Sequence, residues 1–112
     1  MLTAVGRVDG FESFATIKEI AKDRYKLTGT IRGLESFATL SKVREGEYNI
    51  AGHIGGFDSF GTATRVNKFE WLVQGYISGH NMVGHIHTVQ EGQWLFSEKS
   101  VQHQALASVT RS

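Results

Sequence analysis

The chain contains no cysteine and no proline. The first absence removes disulfides, thiolate metal sites and cysteine nucleophiles together. The second means that no strand edge or turn is punctuated by a ring-locked backbone. Charge of one sign is scarce as a feature: 12 Lys plus Arg stand against 11 Asp plus Glu, and no block of like charge runs along the chain. That balance speaks against a nucleic-acid footprint or a patch for anionic membranes. No stretch approaches the ~18 apolar residues that a membrane helix needs. Residues 1–7 also lack the basic start and apolar run of a secretory signal. The expectation is a soluble, cytoplasmic chain, with no nucleic-acid partner and no membrane insertion. At 112 residues it reads as one domain, 1–112, with a core of modest size.

What is present is a repeat. In rows of 23, Gly6, Gly29, Gly52 and Gly75 fall in one column, and Gly10, Gly33, Gly56 and Gly79 in another. Val8, Ile31, Ile54 and Ile77 form a third, and Tyr25, Tyr48, Trp71 and Trp94 a fourth. Ser13-Phe14, Ser36-Phe37 and Ser59-Phe60 align, each followed by Thr16, Thr39 or Thr62, and Ile20, Val43, Val66 and Val89 close the pattern. No gap is needed, so the repeats run 6–28, 29–51, 52–74 and 75–97, with 98–112 as a tail. A fixed period of this size marks repeated supersecondary units.

Each unit reads as a β-hairpin. Asp9-Gly10 and Gly55-Gly56 are strong two-residue turns because both positions can take positive φ. Such a turn pairs Ile31 with Leu34, Gly29 with Ser36 and Tyr25 with Leu40; in the last copy it pairs Ile77 with His80 and Trp71 with Ile86. One face is then apolar or small, and the other carries Lys26, Thr28, Glu35 and Thr39, as in a half-solvated sheet. Val43 and Tyr48 flank a longer turn and are expected to share a face. Alternation from Leu40 forbids that without a β-bulge near Ser41-Lys42, with counterparts near Lys18-Glu19 and Thr64-Arg65. About nine strands result. Val101, Ala105, Leu106 and Val109 sit at near-helical spacing behind Ser100, which fits a short C-terminal helix.

The fold expected is all-β: an antiparallel up-and-down barrel of about 8–9 strands, since closure removes the edges. The alternative is an open twisted sheet covered by the tail helix or by a second subunit. The period, with Glu45-Gly46-Glu47-Tyr48 and Glu91-Gly92-Gln93-Trp94 leading into an aromatic, resembles MORN repeats over residues 6–96. That resemblance implies hairpins stacked into a long open sheet used for scaffolding or lipid contact. The Tyr-x-Gly signature of that family is replaced here, because Leu27, Ile50 and Val73 stand at the glycine position.

Three groups of residues are candidates for chemistry. Phe14, Phe37 and Phe60, beside Glu12, Glu35 and Asp58, recur on the outward face, where apolar stripes mark contacts. They read as an interface between copies or as a repeated sugar site; recent duplication, cover by the tail, or an inverted face would explain them blandly. In the fourth copy His80, His85 and His87 break the pattern. His85 and His87 lie about 7 Å apart on one strand face, a spacing that suits two metal ligands, with Glu70 opposite His87 and no obvious third. Inside, Tyr25, Tyr48, Trp71 and Trp94, with His80 and Met82, are the candidate lining of a ligand cavity. No nucleophile elbow, phosphate loop, dinucleotide fingerprint or zinc-protease helix is present, so no catalytic residue and no cofactor is assigned.

The function expected first is a non-enzymatic binding protein that holds a small apolar or aromatic ligand in the barrel or at a subunit junction. Behind it stand a homo-oligomeric interaction module and a multivalent, lectin-like repeat protein.

Overall fold

The computed structural model describes residues 1–100 and 102–112. Ten antiparallel strands follow in order: β1 (Leu2–Val8), β2 (Phe11–Ala21), β3 (Arg24–Ile31), β4 (Leu34–Arg44), β5 (Glu47–Ile54), β6 (Phe57–Asn67), β7 (Glu70–Ile77), β8 (His80–Gln90), β9 (Gln93–Lys99) and β10 (Gln104–Arg111). Each strand pairs with its neighbours in sequence, and β1 pairs with β10, so the sheet is a closed barrel.

The two-residue turns form as their residues dictate. Ile31 opposes Leu34, Ile54 opposes Phe57 and Ile77 opposes His80. Asp9, Arg32 and Ser78 accept positive φ beside Gly10, Gly33 and Gly79, the paired left-handed geometry whose twist matches the flanking strands.

Closure comes from the glycine column. A Cβ on Gly52 would collide with the Phe37 carbonyl and lie 2.5 Å from Ala38 Cα. The strands therefore approach there more closely than any side chain permits, and the wall bends sharply. A core of Ala38, Ile54, Ala63, Val73, Ile77 and Met82 fills the interior, with Leu27, Tyr48, Trp71 and Phe96 packed against it. Three inward serines tie each hairpin to the next turn. Arg32, Gly55 and Ser78 donate their N–H groups to Ser13, Ser36 and Ser59 Oγ at 3.1, 2.9 and 3.1 Å.

Three expectations are corrected. The tail is a tenth strand, and among the described residues there is no helix. Val101 lies outside the described residues. Ala105 and Val109 do share a face, but at period two, and β10 satisfies the backbone edges that β1 and β9 would otherwise leave open. Closure also rules out the open-sheet alternative. The bulges exist, but one residue later than expected, between Glu19/Ala21, Lys42/Arg44 and Arg65/Asn67, with a fourth between Thr88/Gln90. Val43 is itself the extra residue. Rather than turning inward to join Tyr48, it is 45 % exposed, and Lys42 is the residue opposite Tyr48.

β10 also takes the place in the ladder held elsewhere by β2, β4, β6 and β8. Gly6 sits against Ala107 as Gly29 sits against Ala15. Arg111 N–H donates to Gly92 O at 2.8 Å, continuing the bonds of Lys42 to Asp23 O and Arg65 to Gly46 O. β10 and β1 thus complete a fifth hairpin-sized unit that meets at a seam without a turn.

Candidate functional site

On the outer wall, the face assigned from the repeat is the face observed. Phe14, Phe37 and Phe60 are 49 %, 49 % and 64 % exposed. The inverted-face reading is therefore excluded, and the tail does not cover these rings because it is built into the wall. The same column continues as Val83 and Leu106, both more than half exposed. Five outward apolar residues, one on each even-numbered strand, ring the barrel as a belt.

The groups beside the belt differ from unit to unit. Phe37 stacks on His53 with centroids 5.8 Å apart, and His53 Nδ1 lies 3.2 Å from Asp58 Oδ1. Phe60 stacks on Tyr76 at 6.2 Å. Glu12 faces Arg7 at 3.6 Å, and Glu35 is exposed. Clefts lie along this wall. One of about 640 Å³ runs over β1, β10 and β9 and includes Arg7, Leu95, Lys99 and Leu106. A second of about 540 Å³ is bounded by Phe60, Gln74, Gly75, Tyr76, Asn81, Met82 and Val83, with no charged side chain.

The interior candidates do not converge on one place. Tyr25, Tyr48 and Trp71 form an arc at the bulged end, with centroid spacings of 6.1 and 6.0 Å. Arg111 covers Trp94 at 5.8 Å. Burial pushes the Tyr25 hydroxyl above its ordinary value, and Tyr48, Glu19 and Asp23 add to this. Met82 belongs to the core, and His80 stands at the opposite end of the barrel from the arc. Six residues of strand, about 20 Å, separate the levels of Trp71 and Ile77.

His85 and His87 face outward with centroids 6.1 Å apart, and Glu70 lies 3.1 Å from His87 Nδ1, as its opposed position requires. Among the described residues no group of three or more His, Asp or Glu is arranged to hold a metal ion.

The most unusual side chains sit at the seam, and sequence reading singled out only one of them. Glu98 occupies the place of the glycine column in β9 and is 5 % exposed. Opposite it stands Gly84, where an added Cβ would meet the Phe96 ring at 2.6 Å before any backbone atom. The wall is therefore opened around the carboxylate, which an unpaired charge could not occupy cheaply. Its partner is His80, with Nε2 2.7 Å from Glu98 Oε2. The His80 ring stacks face to face on His103 at 3.6 Å and 7°.

His103 Nδ1 in turn lies 3.1 Å from Asp9 Oδ2, and Gln104 N–H donates to Asp9 Oδ1 at 2.9 Å. Arg32 Nε is 3.3 Å from Asp9 Oδ2, near enough for charge attraction. Its N–H does not point at that oxygen, so Nε, like His80 Nδ1, is buried without a hydrogen-bond partner among the described residues. Arg32 also donates to Ser78 O at 3.2 Å. Burial alone would raise the Asp9 carboxyl. The hydrogen bonds from His103 and Gln104, with the charges of His103 and Arg32, outweigh it and hold the group below its ordinary 3.8. Extending the columns by one more period singles out His80 and His103 after Phe11, Leu34 and Phe57, and Glu98 after four glycines, but only closure of the ring adds Asp9.

Comparison with known protein families, curated proteins and solved structures gives no match.

Proposed function

We propose that the protein is an interaction module that associates with further copies of itself through the apolar belt of its outer wall. The observation that carries this reading is the column Phe14, Phe37, Phe60, Val83 and Leu106, exposed at every unit although each lies in a strand paired on both sides. Packing inside the barrel does not account for it. Three half-exposed phenyl rings offer on the order of 300 Å², worth about 7 kcal/mol gross at the usual area coefficient. That lies within the about 4–15 kcal/mol that association costs. The contact is therefore weak and concentration-dependent, with neighbouring Val5 and Tyr76 contributing. Sedimentation of the wild-type chain should show mass rising with concentration, and the Phe14→Ser/Phe37→Ser/Phe60→Ser variant should be a folded monomer. A wild-type chain that stays monomeric at the highest soluble concentration removes the proposal.

A second reading is favoured by the uncharged cleft at Phe60, Tyr76, Gln74 and Asn81. An aromatic platform beside two carboxamides suits the CH face and hydroxyls of a neutral sugar ring. Asp58 would contribute little there, being turned toward His53. Binding on a glycan array, lost on Tyr76→Ala, supports it; an array without signal discards it. An apolar ligand inside the barrel rests on the aromatic arc alone. Its test is quenching of tryptophan fluorescence by apolar probes, and no uptake would rule it out.

A further inference from the structure

The outer wall over β2, β3 and β4 carries charges that the barrel itself does not use. Lys18 and Lys26 are directly opposed in the ladder, a pairing of like charges that works against the sheet. Among the described residues neither ammonium makes an ion pair, and neither does the carboxylate of Glu35 on β4. All three side chains are exposed.

The register sets two of these charges around one ring of the belt. Phe37 is opposed to Thr28. Lys26 is opposed to Thr39, two residues nearer the bulged end, and Glu35 to Thr30, two residues nearer the turns. Each charge therefore lies about 7 Å along the strands from the level of Phe37, on opposite sides of it. Within one chain they stand about 14 Å apart along the strands, too far to meet.

A strip of this kind is complementary to itself when turned end for end. A second copy laid antiparallel, with its Phe37 on this Phe37, brings its Glu35 over Lys26 and its Lys26 over Glu35. A parallel copy centred on the same ring sets Glu35 against Glu35. The wider charge distribution favours the same orientation. Nine of the 12 Lys and Arg lie nearer the bulged end, with six of the 11 Asp and Glu, which leaves three and five nearer the two-residue turns. The two halves thus differ in sign, and like halves repel when copies lie parallel. Exposed ion pairs add little affinity, but they select orientation.

We propose that two copies associate side by side and antiparallel, centred on Phe37, with Glu35 of each paired to Lys26 of the other. The contact is isologous, one patch serving both copies. It rests on self-association through the belt and adds the orientation of the partner.

Sedimentation equilibrium of the full chain at about 20 mM salt, where exposed charges are little screened, tests this. Lys26→Glu and Glu35→Lys each make both contacts repulsive and should weaken the dimer about tenfold or more. The double variant Lys26→Glu/Glu35→Lys exchanges the signs and should associate within about threefold of the wild type. An equimolar mixture of the two single variants should do the same. Since the two positions do not touch within a chain, such rescue requires contact between copies. Should a charge variant fold poorly, single cysteines give a second reading, because the chain has none of its own. A short bismaleimide should join Thr28→Cys to its own copy and leave Thr39→Cys unjoined. Association that neither single reversal weakens, or that the double variant does not restore, overturns the orientation and leaves the belt standing. Cross-linking of Thr39→Cys in place of Thr28→Cys does so too. A wild-type chain that never associates removes both.

Discussion

The wall from β2 to β7 and the seam from β8 through β10 to β1 follow one ladder but are held by different means. In the regular wall, closeness is the device. Glycine faces alanine or glycine, and a buried serine hydroxyl takes the N–H of the next turn. At the seam the serine column becomes Met82 and Ala105 and the glycine of β9 becomes Glu98, so polar pairs are added to the close approach that Gly6 and Ala107 keep between β1 and β10. The same topology can thus be closed by shape alone or by shape and charge together.

The largest expected break of this comparison is steric. Gly52→Ala places a methyl group against the Phe37 carbonyl and Ala38 Cα, so the barrel must spread or unfold. We expect a loss of more than about 3 kcal/mol, at the upper end of overpacking costs. Gly84→Ala, at the seam, meets the Phe96 ring, which can turn aside, and should cost about 1–2 kcal/mol. Denaturant unfolding of the two variants side by side measures the difference; equal losses would mean that both regions are closed in the same way.

Next in size is the serine tie. Ser36 is almost wholly buried, accepts from Gly55 N–H and donates to Leu34 O at 3.1 Å. Ser36→Ala leaves that N–H buried without a partner and should destabilise by about 2 kcal/mol. At the seam, Ala105→Ser adds a hydroxyl where Asp9 N–H already has the Gln104 carbonyl, and should change stability by less than about 0.5 kcal/mol. Thermal unfolding of both variants gives the answer.

These contrasts show what was legible in the sequence. Strand positions followed from turn chemistry and period, because Asp-Gly and Gly-Gly fix both the turn and the register. The outward phenylalanines followed from alternation. β10 was missed because its inward residues, Ala105 and Ala107, are too small to show alternation, while Leu106 faces out and suggested a helix stripe. The bulges were misplaced for a related reason. An apolar Val43 was expected inside, but a bulge residue need not obey the pleat. The seam cluster was hidden because its members lie up to 94 residues apart. Only closure of the ring puts Asp9 beside His103.

A smaller effect is expected in acid. Asp9 is lowered in the folded state, so its contribution is fully present above its ordinary value of 3.8 and is lost as pH falls through the folded value. Asp9→Asn should therefore reduce stability at neutral pH, and the two unfolding curves should converge as pH drops below 3.8. If the gap between them is constant from pH 7 to 3, the carboxylate charge is not what holds β10.

The smallest effect on stability, and the sharpest comparison, comes from moving the chain ends. Ser112 N–H donates to Met1 O at 3.1 Å, so a short flexible linker can join them. A new opening at Glu45–Gly46 lies in an exposed turn, where such cuts are tolerated best. Because every strand keeps both neighbours, global stability should change by no more than about 1 kcal/mol. Local opening should change more. The β4–β5 junction becomes a seam with no charged cluster, only glycine and serine columns, whereas the old seam gains a covalent link. Exchange near residues 37–53 should then rise above that of the linked β1–β10 pair. If the new seam is as well protected as the old one was, close packing alone closes this barrel. The polar cluster must then be kept for something other than holding β10 in place.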